Sequence, residues 1–188
     1  ECMALREVAL PAGLQRIEES TFESCHSLHN VPIPPSVTVI GESAFEDFNQ
    51  LCLEKRWGDG LPLVPPTADA VARMLAATSR PPDEVLGRLP YRGGIVTVGK
   101  IAVNAVMAGA KPEYLPVVIA AMECLAQDDG FHHFLSSEGS FTLALIVTGP
   151  LGRKLDMNSG VGLLGHGWRA NSTIGRAVRL CLSNIGYL

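Results

Sequence analysis

From residue 5 to residue 51 the apolar positions recur every 23 residues. LREVALPAGLQRIEESTFESCHSL (5–28) lies over LHNVPIPPSVTVIGESAFEDFNQL (28–51) without a gap. Leu5, Leu28 and Leu51 match, as do Val8 and Val31, Leu10 and Ile33, Leu14 and Val37, Ile17 and Ile40, and Phe22 and Phe45. A period of this length marks stacked supersecondary units, each with an apolar face that only a neighbour can bury. Leu5, Val8, Leu10, Val31 and Ile33 are expected to face inward from a short parallel sheet. The proline after each extended segment should end it. Cys2 takes the place of Cys25 and Phe48, so the chain is expected to begin inside an earlier repeat.

From Trp57 the period changes. Thr67 is a good N-cap with Asp69 in the first turn, and Val71, Met74 and Leu75 make the buried stripe of a helix to about Ala77. A short helix is expected from Pro82 to Gly87. Val98, Ile101, Ala102, Ala105 and Val106 keep helical spacing up to Gly109. Residues 116–126 are apolar nearly all round, which places that helix centrally. FTLALIVTG (141–149) is the best strand pattern, closed by Gly149-Pro150. Ile174, Ala177, Val178, Cys181, Leu182 and Ile185 predict a last amphipathic helix starting between Trp168 and Ser172. The fold class expected is α/β or α+β, a short repeat solenoid (1–51) followed by a helix-rich mixed domain with few strands (57–188), cut short at its C-terminus.

The repeat signatures L-x-x-V-x-I/L-P and A/T-F-x-x-C/F-x-x-L resemble the BspA-like leucine-rich repeat over residues 1–51. That resemblance implies an interaction surface. Residues 57–186 carry a second resemblance, through WGDGLPLVPPT, TVGKIAVNAVMAGAKPEYLPVVIAA and TGPLGRKLDMNSGVGLLGHGWRANSTIGRAVRL. They look like the C-terminal region of the UGSC-motif (seleno)protein family, which implies a redox or small-molecule role. The family's namesake redox segment has no counterpart here, so no redox residue can be assigned.

Of 188 residues, 47% are hydrophobic, enough for a packed core, and the net charge of −4 gives no global attraction to nucleic acid. The longest apolar run, LPVVIAAMECLA, is too short to span a bilayer and contains Glu123. Neither nucleic acid nor membrane is therefore expected as a partner. Five cysteines without C-x-x-C spacing favour a reducing, cytoplasmic compartment, although a chain starting at Glu1 cannot display a signal peptide.

Candidate chemistry concentrates near the end of the chain. GVGLLG (160–165) has the letters of a dinucleotide loop, but no strand precedes it and no helix follows at once, so a tight turn is the better reading. The stretch from Gly165 through His166, Arg169, Asn171, Ser172 and Thr173 sets polar groups at a helix start, where N–H groups favour an anion. An ordinary cap is the plainer alternative. Asp59 between two glycines could edge the same pocket or simply form an Asx-turn. Arg169, Arg176 and Arg179 share one helix face, read as solvated. Asn104, in a strongly apolar helix, needs a buried partner and is read as structural glue. His132, His133, His166 and Glu138 could ligate a metal but lack its spacing; no metal is expected, the cofactor is unknown, and Asp128-Asp129 end a helix. Ser136 and Ser137 lie near histidines without forming an assignable triad.

Two functional readings follow. One is a small-molecule, redox-related enzyme domain with an appended interaction module, taking a small anionic ligand. The alternative is a non-catalytic scaffold that binds protein partners through its repeats.

Overall fold

The computed structural model describes residues 7–18, 21–22, 25, 31–40, 46–89, 93–127 and 143–186. Leu5, Leu28, Phe45, Asp128, Asp129, His132, His133, Ser136, Ser137, Glu138 and residues 141–142 lie outside them. The chain divides into two compact units, Glu1–Arg56 and Trp57–Leu188.

In the first unit the 23-residue period is carried by backbone geometry. Leu14 N donates to Pro11 O and Val37 N to Pro34 O, both at 3.0 Å, so each repeat makes the same proline-led turn. The chain then extends into β1 (Arg16–Ile17) and β2 (Val39–Ile40), which pair in parallel with Arg16 opposite Val39. Thr38 N donates to Gln15 O at 2.9 Å, and the Ser36 hydroxyl reaches Ala12 O and Leu14 O, each at 2.8 Å. Ile17 is buried, 3% exposed. The ladder therefore sits one turn later than the expected segments. Val8, Leu10, Val31 and Ile33 are only half-buried and belong to no strand. The reason is proline: VPIPP lacks three of its N–H donors, so a ladder must wait for a stretch that can donate. Helix α1 (Glu46–Lys55) closes the unit.

The second unit is a mixed α+β arrangement with few strands. Helix α2 (Ala68–Leu75) starts where expected, with the Thr67 hydroxyl accepting from Ala70 N at 3.3 Å. Strand β3 (Val85–Arg88) then pairs antiparallel with β4 (Ile95–Thr97), with an irregularity between Val85 and Gly87. A helix from Pro82 to Gly87 was the expectation, and the structure corrects it. Apolar Val85 and Leu86 next to Gly87 suit a bulged strand, and Val98 N takes the Glu84 carbonyl at 3.2 Å. Gly94 is required in this hairpin, since a Cβ there would collide with the Ile185 carbonyl.

Helix α3 (Val98–Met107) is the centre, packed against α2, α4 (Leu115–Gln127) and α6 (Arg169–Gly186). A 3-10 turn (Pro112–Tyr114) leads into α4, which buries Leu115, Val118, Ile119 and Met122 but exposes Pro116, Ala120 and Cys124. A short α5 (Pro150–Lys154) precedes α6. All six residues of the expected stripe on α6 are buried. Arg80 links the turn before β3 to α4. Its guanidinium donates to both Glu84 oxygens, at 3.0 and 2.7 Å, and to both Glu123 oxygens, at 3.0 and 3.2 Å. These hydrogen bonds hold both carboxyls below their ordinary pKa and raise that of Arg80.

The segment 143–148 forms no strand, against expectation; Ile146 is 86% exposed. Its pattern, LALIVT, is β-prone throughout, but among the described residues no neighbouring strand pairs with it. A β pattern becomes a strand only where a ladder partner exists.

Candidate functional site

The polar residues singled out near the end of the chain lie on and around the first turns of α6. Trp168 is the residue before the helix, and its carbonyl accepts from Ser172 N at 3.1 Å. Ser172 is exposed, and the Thr173 hydroxyl turns back to the Arg169 carbonyl at 2.8 Å. Neither hydroxyl therefore serves as the cap.

Asn171 organises the glycine-rich loop. Its Oδ1 accepts from Asn158 N at 2.9 Å, while Nδ2 donates to Asn158 O at 2.9 Å and Leu163 O at 3.1 Å. Asn158 folds its own amide into the loop, accepting from Gly160 N at 2.9 Å and donating to Val161 O at 3.0 Å. Gly165 N donates to Gly162 O at 2.7 Å, so GVGLLG is a sequence of tight turns without a preceding strand. His166 is exposed on this loop. The loop is thus pinned at two points, with its turns built from glycine and Asx geometry.

Arg169 points to the end of α3. Its Nε and Nη2 donate to the Gly109 carbonyl at 3.1 and 2.9 Å. Gly109, at φ +76°, is the left-handed residue after the helix; its N–H reaches Val106 O, and Ala110 N reaches Ala105 O. That is a Schellman end, and Arg169 adds a cation at the negative pole of the α3 dipole.

Two turns along α6, Arg176 makes four hydrogen bonds to the segment after Trp57. Its Nε and Nη2 bind the two oxygens of Asp59 at 2.8 and 2.9 Å, and Nη2 also reaches Leu61 O and Pro62 O at 3.2 and 2.9 Å. Asp59 accepts from Leu61 N at 3.3 Å as well, completing the Asx-turn. The backbone here faces solvent, yet the carboxylate is only 18% exposed and the guanidinium 21%. The Arg176 hydrogen bonds hold the Asp59 carboxyl below the ordinary carboxylate range, against the opposing effect of partial burial. Asp59 therefore belongs to a latch rather than to the loop at residues 158–168. The expected solvated arginine face is divided: Arg169 and Arg176 are engaged by the fold, and Arg179 is exposed.

Asn104 is 4% exposed. Its Nδ2 donates to Lys100 O at 2.9 Å and its Oδ1 accepts from Asn184 Nδ2 at 2.7 Å, a polar tie across the α3–α6 interface. Asn158 and Asn184 are the site residues that the sequence does not announce. The M-N-S-G step before the glycines is the one signal that could have pointed to Asn158.

Among the described residues no three His, Cys, Asp or Glu side chains gather as a metal site. Cys52 and Cys181 are buried, with burial raising both thiol pKa values, while Cys25 is half-buried and Cys124 exposed. No helix among the described residues is long and apolar enough to cross a membrane.

Comparison with known proteins places the first unit only. The model of the BspA type Leucine rich repeat region (6 copies) matches residues 1–54. No curated protein and no solved structure matches the chain. The resemblance of residues 57–186 to the UGSC-motif family finds no support in these comparisons and is taken no further.

The Asp59–Arg176 latch has a definite pH signature. The folded pKa of Asp59 lies below its unfolded value of about 3.9, so the stabilisation is complete above that value. It is lost as pH falls through the lowered folded pKa. Asp59→Asn should cost about 1–3 kcal/mol at neutral pH and progressively less as pH falls below about 3.9. Thermal melts of both proteins across this range would show the gap closing; a gap independent of pH would remove the ion pair as its cause.

Proposed function

We propose that the chain is a modular binding protein whose N-terminal repeats form a protein-interaction module. The observation that carries this reading is the parallel pairing of Arg16 with Val39, spaced by the same 23 residues as the apolar repeat. The family match over residues 1–54 supports it, because stacked repeats of this kind present a continuous surface built from one exposed position per repeat. On this reading the stack is a solenoid, and its partner is a protein bound through the exposed positions. In the first of the two repeats Glu7, Arg16 and Glu18 are exposed.

Substituting Ile17, a buried side chain of the paired strands, by Asp should destabilise the repeats by about 2–4 kcal/mol. The full chain and its Ile17→Asp variant would be compared as baits, with quantitative identification of the proteins each retains. The variant is expected to lose the partners held by the parent while keeping the helical signal of residues 57–188. An unchanged set of partners would place binding elsewhere.

A second reading assigns a small anionic ligand to the second unit. The fixing of a glycine-rich loop by Asn158 and Asn171 at the start of α6 favours it, since the loop is held beside a helix end whose dipole favours an anion. In this reading Gly165, His166, Arg169, Asn171, Ser172 and Thr173 are the candidates for ligand contact, and the side chains of Arg169, Asn171 and Thr173 would have to share their hydrogen bonds with the fold. Titration with inorganic phosphate should raise the melting temperature of the full chain and raise it less in Arg169→Ala. Equal shifts, or none, would leave the segment as a structural fastening.

A further inference from the structure

Between residues 145 and 168 the second unit carries a stretch of exposed apolar side chains that its core does not use. Ile146 is 86% exposed, Val161 103% and Leu164 95%, with Leu151, Leu163 and Trp168 each at least 40% exposed. Monomer surfaces carry single exposed aliphatics routinely, but a run of them between residues 145 and 168 is a different matter. Local contacts tie the run together. The side-chain position of Gly152 lies 3.8 Å from Val147 O, Met157 N donates to Gly152 O at 2.9 Å, and Asn171 binds both Asn158 and Leu163.

Val161 and Leu164 project from a loop whose turns are glycine: Gly160, Gly162, Gly165 and Gly167. Side chains of this kind, bare on all sides, need a surrounding that moulds itself to them. Trp168 stands at the base of the loop, 40% exposed, an amphipathic ring of the type that settles at a lipid–water boundary. Arg153, Lys154 and Arg169 are exposed along the same stretch, and Asp156 is the single carboxylate between residues 143 and 171. Exposed apolar tips with exposed cations in the same stretch match a layer with apolar chains beneath anionic headgroups.

We propose that this stretch docks peripherally on an anionic lipid bilayer. Val161, Leu164 and Ile146 enter the acyl boundary, Trp168 lies at headgroup depth, and Arg153 and Lys154 meet the lipid phosphates. The contact is superficial, in keeping with the absence, among the described residues, of a helix able to span the membrane. A protein with an acidic, apolar surface is the competing occupant, but it would have to offer a separate preformed pocket for each bare tip.

The test uses the full chain in co-sedimentation with vesicles of phosphatidylcholine alone and with about 30% phosphatidylserine. Binding should be at least about tenfold stronger to the anionic vesicles and weaken as salt is raised. Val161→Asp/Leu164→Asp should bring it down to the level of the neutral vesicles. Because both side chains lie wholly in solvent, the fold should be unchanged by circular dichroism. Arg153→Ser/Lys154→Ser should lower binding several-fold and flatten its salt dependence. Failure of the full chain to bind anionic vesicles, or undiminished binding of the double Asp variant, would overturn the proposal. So would self-association in gel filtration that the Asp variant abolishes without any vesicle binding, which would make the stretch a protein interface.

Discussion

Helix α6 buries an apolar stripe against α3 and α4, and four polar side chains outside that stripe tie it to α3, to a loop and to the segment after Trp57. Arg169 holds the carbonyl that ends α3, Asn171 holds the glycine-rich loop, Arg176 holds the segment from Asp59 to Pro62, and Asn184 meets Asn104 in the core. The stripe provides the larger free energy, since each fully buried aliphatic contributes on the order of 1.5–3 kcal/mol. Direction comes from the polar ties. An apolar stripe tolerates sliding, whereas a bidentate Arg–Asp contact or an amide bonded at both ends does not. The Asn104–Asn184 pair adds a penalty for misalignment, because the buried Asn104 Oδ1 would lose its partner.

This arrangement explains why residues chosen as ligand candidates serve first as fastenings. Polar side chains at a helix start satisfy a loop, a neighbouring helix end or a ligand by the same chemistry. In α6 the first two uses account for both bonded amide atoms of Asn171 and for Nε and Nη2 of Arg169. A ligand at this site would have to share those side chains with the fold. The exposed apolar residues nearby share nothing with the core, and so they carry the stronger indication of an external partner.

Much of the fold was legible because helices declare themselves locally. The Thr67 cap, the stripe of α3 ending at Gly109 and the stripe of α6 all follow from spacing and cap chemistry. The 23-residue period was equally plain, but the ladder position was not, since prolines shift pairing from the aliphatic segments to Arg16–Ile17 and Val39–Ile40. Strands depend on partners distant in sequence. Pro82 to Gly87 reads as a helix because the pairing of Val85–Arg88 with Ile95–Thr97 is invisible in a short window, and 141–149 reads as a strand although none of the described residues pairs with 143–148. In the candidate site the important residue types were visible, whereas their partners were not. Nothing in the sequence joins Arg176 to Asp59 across more than a hundred residues, or Asn184 to Asn104.

The central claim, that polar side chains of α6 position the segments around it, is most directly tested by hydrogen exchange on the full chain with Arg176→Ala and Asn171→Ala. Arg176→Ala should speed exchange at Leu61 and Val64 while leaving Leu163 and Gly165 at the parent rate. Asn171→Ala should do the reverse. Selective opening of this kind is the mark of independent local fastenings. Uniform acceleration across the second unit in both variants, or no change in either, would contradict the account.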